Sequence, residues 1–139
     1  MLGSRPKQEI PEILAASSFA ASSFDDLEVL RDNSANKIFD ALAAGKPLAV
    51  HHEGWLQKLV VEHDCGIHLR RNDYAQSAKA LADRLSDENW MTQAGRRGKQ
   101  LGKDRFDRDM LSAQLESVLL QACRVEQPAL PINKNRQAA

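Results

Sequence analysis

Cysteine is scarce in this sequence. The 139 residues hold two, Cys65 and Cys123, and neither has the spacing of a metal site. Cys65, just before Gly66, reads as a small buried residue. An excess of one charge is also lacking. Lysine plus arginine and aspartate plus glutamate both count 19, so the net charge is zero. A general binder of nucleic acid or of membrane surfaces would carry a basic excess, so neither partner is expected. No apolar run is long enough to span a membrane, and no stretch has the pattern of a signal peptide. A soluble cytoplasmic protein without an integral membrane segment is expected. There is no G-x-G-x-x-G, no P-loop, no recognisable Ser-His-Asp or Cys-His arrangement, and no internal repeat. His51, His52 and His63 invite a metal reading. Neighbours on a strand point to opposite sides, however, so His51 and His52 cannot easily share an ion, and no metal is expected.

What is present centres on Asn33 to Val50, NSANKIFDALAAGKPLAV. Ser34 suits a helix N-cap, because its hydroxyl can accept from free N–H groups of the first turn. Ile38, Ala41, Leu42 and Gly45 fall at helical spacing on one face. Asn36, Lys37 and Asp40 share another, one turn apart. Gly45 suits the left-handed residue that ends a helix, and Pro47 stops it from continuing. Leu48 to Val50 then reads as a strand buried on both faces. A helix that opens with free amides, carries polar side chains on its first two turns and feeds a buried strand is a candidate anion site.

The same residues carry a resemblance. Asn33, Ser34, Ala35, Asn36 and Lys37, then Phe39, Asp40, Ala43, Ala44, Gly45, Lys46 and Pro47, resemble a motif of GT-B glycosyltransferases. The family is the large retaining one, group 1 or family 4, whose bacterial members build capsule and other polysaccharides. Its motif reads N-S-P-N-K, an aromatic, an acidic residue and A-A-G-K-P-V. The likeness runs from about Gly3 to about Ala122, and outside the motif it is one of pattern. Two departures stand out. Ala35 replaces the family proline. The family's two glutamates, eight positions apart, are here Asp32 and Asp40, and the G-F-G that follows the first is absent.

The resemblance implies a nucleotide-diphosphate sugar as donor substrate and no further cofactor. It implies that Asp40 holds the nucleotide ribose and that the amides after Ser34, over Ala35 and Asn36, face phosphate or sugar. Lys37 would add positive charge, and Glu53 and Gly54 lie in the loop that contacts donor groups. Residues alone leave Lys37 and Asp40 equally open to being a helix ion pair. A whole GT-B enzyme has two Rossmann-like domains, and this chain matches the later part of the second. The resemblance thus implies the donor-binding portion of a glycosyltransferase, inactive alone. The alternative is a non-catalytic assembly module derived from one.

Along the rest of the chain, Gln8–Ala16 reads as a short helix with Pro11 in its first turn. Ser17–Phe24 reads as a strand and Asp25–Asp32 as a long loop, which often signals function. Trp55–Glu62 is a helix ended near Gly66, and Ile67–Arg70 a third strand, with Arg70 and Arg71 at the surface. Asn72 caps a helix over Tyr74–Leu85. Ser86 opens another, to about Lys103, which Gly95, Gly98 and Gly102 weaken. Asp107 caps the last helix, Met110–Arg124, with a stripe of Leu111, Leu115, Val118 and Leu119. The expected fold is α/β, half of a Rossmann-like GT-B domain over residues 1–124, with about three parallel strands flanked by helices. Residues 125–139 read as a disordered tail. An open sheet edge near Ser17–Phe24 and the terminal stripe imply a partner, either a second copy or an amino-terminal domain.

Overall fold

The computed structural model describes residues 3–25 and 27–124. The expected tail, Met1, Leu2 and Asp26 lie outside the described residues. The fold is α/β, with three parallel strands in one open sheet flanked by helices, consistent with half of a Rossmann-like domain. The strands are β1 (Ala20–Ser22), β2 (Leu48–Val50) and β3 (Gly66–His68), in the order β1-β2-β3. Ala20 pairs with Leu48 and Leu48 with Gly66; Ser22 pairs with Val50 and Val50 with His68. The helices are α1 (Ile10–Ala16), α2 (Asn36–Ala43), α3 (Trp55–Glu62), α4 (Tyr74–Leu85), α5 (Glu88–Phe106) and α6 (Arg108–Arg124).

Both crossovers step the same way along the sheet. Right-handed connections then lay α2 and α3 on one face. Their apolar stripes close the core there: Ile38, Ala41 and Leu42 from α2, and Leu56, Leu59 and Val60 from α3, against Leu48 and Val50. Each large side chain buried this way contributes about 1.5–3 kcal/mol relative to exposure. The two helices end alike. Gly45 (φ +66°) donates to Leu42 O and Lys46 to Ala41 O; Asp64 (φ +44°) donates to Val61 O and Cys65 to Val60 O. Both are Schellman closures. Each returns the chain directly to the N-terminal edge of the sheet.

Several expectations need correction. Ser34 does not cap α2: the cap position is Ala35, with no side-chain bond, and Ser34 stands one residue outside the helix. Asp73, not Asn72, caps α4, its carboxylate accepting from Gln76 N–H at 2.8 Å. Asp87, not Ser86, does the same for α5 through Trp90 N–H. The left-handed residue after α3 is Asp64, and Gly66 lies inside β3, where a Cβ would meet Leu48 O at 2.2 Å. The strands are shorter than their apolar runs, and the Asp25–Asp32 loop contains a 3-10 turn over Glu28–Leu30. Another such turn, Lys7–Glu9, leads into α1. The glycines of α5 do not interrupt it, and Gly95, Gly98 and Gly102 are where α5 meets Gly45 and Leu42 closely.

The helix α6 belongs to a second compact unit that begins at Asp107. Asp107 caps it as expected, accepting from the amides of Asp109 and Met110 at 3.0 Å. Leu111, Leu115, Val118 and Leu119 are exposed along it. No described helix is long and apolar enough to cross a membrane. Among the described residues, no strand pairs the outer edge of β1.

Candidate functional site

In a parallel sheet the connections after the strands gather at one edge, and ligands bind there. Here three connections meet: residues 23–35 after β1, 51–54 after β2 and 69–73 after β3. Specific contacts hold them together. Ser22 Oγ lies 3.3 Å from His52 Nε2. Arg71 Nη2 donates to Phe24 O at 3.0 Å, tying the third connection to the first. Trp55 Nε1 points to Asp32 O at 3.4 Å. Gly54 has φ +129°, and a Cβ built on it would lie 2.1 Å from Arg31 O. Only glycine lets the first two connections approach so closely.

Between the connections is a cavity of about 490 Å³. That is within the usual range for small-molecule sites, roughly 300–1,000 Å³. Arg31, Arg70 and Arg71 line it, as do Asp25, Glu53 and Asp73. Formal charge in the wall therefore balances, but its parts are not equally free. Asp73 is occupied as the α4 cap, and one arm of Arg71 is occupied by Phe24 O. Among the described residues, neither Arg31 nor Arg70 enters an ion pair.

Three histidines border the same space: His51, His52 and His68. His52 is buried, and its Nδ1 lies 3.3 Å from Glu53 O. A carbonyl only accepts, so Nδ1 carries the proton and Nε2 accepts from the Ser22 hydroxyl. Burial pushes the His52 imidazole below the usual histidine range; the bond to Glu53 O opposes this, and Lys37 and the other two imidazoles add to it. Burial likewise lowers His68, with Glu53 pulling it up and Arg70 and His51 pushing it down. His51 Nδ1 is buried and has no hydrogen-bond partner. Ser22 and His52 resemble a nucleophile and its base, but Ser22 is 1% exposed, so the pair is a tie between β1 and the connection after β2.

The residues singled out from the motif are dispersed. Ser34, Asn36, Lys37 and Asp40 are exposed and Ala35 is half-buried, all on or before α2 and outside the cavity wall. Among the described residues, Lys37 and Asp40 form no ion pair. Lys37 Nζ instead sits 4.8 Å from the centre of the Phe24 ring, and Phe24 packs against His52 with ring centres 4.7 Å apart and planes tilted by 44°. The motif lysine is thus one aromatic ring away from the cavity. Glu53 is in the wall, and Gly54 acts through its backbone. Sequence reasoning missed Arg31 and His68 and placed Arg70 and Arg71 merely at the surface. Their signal was position, since Arg31, Arg70 and Arg71 follow strands of a parallel sheet and His68 ends one. No group of three or more His, Cys, Asp or Glu that could hold a metal ion occurs among the described residues. No protein-family model matches the chain, and no curated protein or solved structure matches it.

Proposed function

We propose that the chain binds a nucleotide-diphosphate sugar, as the donor-binding portion of a glycosyltransferase. One observation carries the reading: the cavity at the C-terminal edge is built by the connections after all three strands, with Glu53 in its wall and Lys37 beside it. The motif resemblance supplies the ligand class. The ribose hydroxyls go to Asp40, and positive charge from Lys37 and the arginines faces the diphosphate. A leaving diphosphate is stabilised by such fixed charge. Affinity is expected in the millimolar range, about 4 kcal/mol. Amide shifts on titration with UDP and GDP test it. Residues 33–40 and 51–54 should move, and Asp40→Asn should weaken binding about tenfold, the loss of one charge-assisted bond. No movement at saturating nucleotide removes the reading.

The exposed stripe of Leu111, Leu115, Val118 and Leu119 on α6 favours a second reading, assembly through this helix with another copy. Light scattering after size exclusion at micromolar concentration separates the two. A monomer of 15.5 kDa that binds nucleotide leaves only the first.

A further inference from the structure

The cavity contains more positive charge than the motif accounts for. Among the described residues, the guanidinium groups of Arg31, after β1, and Arg70, after β3, enter no ion pair, and neither residue belongs to the motif. Their balance against the acids is only formal. Of the three carboxylates in the wall, Asp73 is committed to Gln76 N–H, which leaves Asp25 and Glu53. The first turn of α4 also reaches the cavity through Asp73 and Gln76, so the positive end of a helix of 12 residues lies beside the arginines. Guanidinium forks match the paired oxygens of a phosphate. Carboxylates without a cation partner suit hydroxyl donors. Two free forks with two free carboxylates in one concavity fit a ligand with a phosphate at one end and hydroxyls at the other.

We propose that this cavity binds the phosphorylated end of a sugar, its phosphate held by Arg31 and Arg70 and its hydroxyls by Asp25 and Glu53. The inference rests on the nucleotide-sugar reading only in placing the ligand at this edge. It assigns the phosphate to residues the motif does not contain. The chemistry is shared by a free glycosyl phosphate and by the diphosphate sugar of a nucleotide, and the probes below separate these sources.

The full chain, labelled with nitrogen-15, is titrated with glucose 1-phosphate, inorganic phosphate, glucose and UDP. Glucose 1-phosphate should bind more tightly than phosphate or glucose. It should shift the ring signals of His51 and His68 and the amides of residues 70–76. Arg31→Gln and Arg70→Gln should each weaken it about tenfold. Arg70→Lys, which keeps the charge without the fork, should fall between. Native amide spectra of the variants establish that they fold. Shifts confined to residues 33–40, or affinity unaffected by either glutamine variant, overturn the inference. The two readings fail separately. UDP binding without binding of glucose 1-phosphate removes this inference and leaves the nucleotide reading. Glucose 1-phosphate binding without UDP binding does the reverse.

Discussion

A Cβ placed on Gly95 would lie 2.3 Å from the carbonyl oxygen of Gly45. The backbone of α5 therefore rests directly on the turn that ends α2. This contact fixes how α2, and with it the motif, is held from behind. In an isolated helix, glycine to alanine gains about 1 kcal/mol. Here the added methyl meets backbone, which cannot rotate aside, and overpacking costs about 1–3 kcal/mol or more. Gly95→Ala should lower stability by about 1–2 kcal/mol net. Gly98→Ala is the control. Its Cβ would meet Leu42 Cδ2 at 3.3 Å, the end of a flexible side chain, so the change should be near neutral. Urea midpoints of the two variants decide, and equal midpoints would mean that α5 does not sit on Gly45.

The second prediction concerns Asp64. Its carboxylate accepts from Trp90 Nε1 at 3.0 Å and from Arg97 Nη2 at 2.7 Å, while its carbonyl takes Arg97 Nε at 2.9 Å. Its backbone is left-handed, φ +44°. The ion pair is partly exposed, with side chains 38% and 55% accessible, and so contributes under about 1 kcal/mol. The larger losses in Asp64→Ala are the Trp90 acceptor and the left-handed strain, together about 2–3 kcal/mol. Asp64→Gly relieves the strain and should lose about half as much. If 1 M salt abolishes most of the difference between wild type and Asp64→Ala, the ion pair dominates and this assignment is wrong.

These two residues show what the sequence could and could not convey. The end of α2 was legible because Gly45 and Pro47 each have a local conformational meaning. Asp107 was legible as a cap for the same reason. Asp64 was not: its left-handed backbone is sustained by Trp90 and Arg97, 26 and 33 residues further on. The α5 glycines looked like weak points because only a neighbouring helix reveals their use. Ser34 has the chemistry of a cap, yet the helix begins a residue later, and helix boundaries shift that easily. The cavity was half legible. Parallel strands announce which edge carries it, and Glu53 followed from that. Arg31 and Arg70 are brought together only by pairing β1 and β3 to either side of β2.

The third prediction is a dependence of stability on pH. His52 and His68 are held below the ordinary histidine value of 6.5. Below pH 6.5 the unfolded chain therefore binds protons that the folded chain does not. The contribution of these groups is complete above pH 6.5 and is lost as pH falls through their depressed folded values. Protonating His52 also removes the acceptor for the Ser22 hydroxyl. Urea midpoints should be level from pH 8 to 7 and fall from 6.5 towards 5. His52→Gln should be less stable at pH 8 and show a shallower fall. A midpoint that rises on acidification contradicts the assignment.

The last prediction tests the seam between the first two connections. Gly54 combines φ +129° with an Arg31 carbonyl oxygen 2.1 Å from where a Cβ would stand. Alanine would be strained by its own backbone, at a cost of about 1–3 kcal/mol. It would also push Arg31 away, and Arg31 is part of the cavity wall. Gly54→Ala should therefore lose about 2–4 kcal/mol of stability and, where still folded, most of its affinity for UDP and glucose 1-phosphate. Glu53→Ala next to it is the contrast. Glu53 is exposed, so stability should change by less than about 0.5 kcal/mol while ligand affinity falls. Urea denaturation and ligand titration at low temperature measure both quantities. A Gly54→Ala protein with native midpoint and native affinity would show that residues 23–35 do not depend on Gly54 for their position, and the cavity would have to be built some other way.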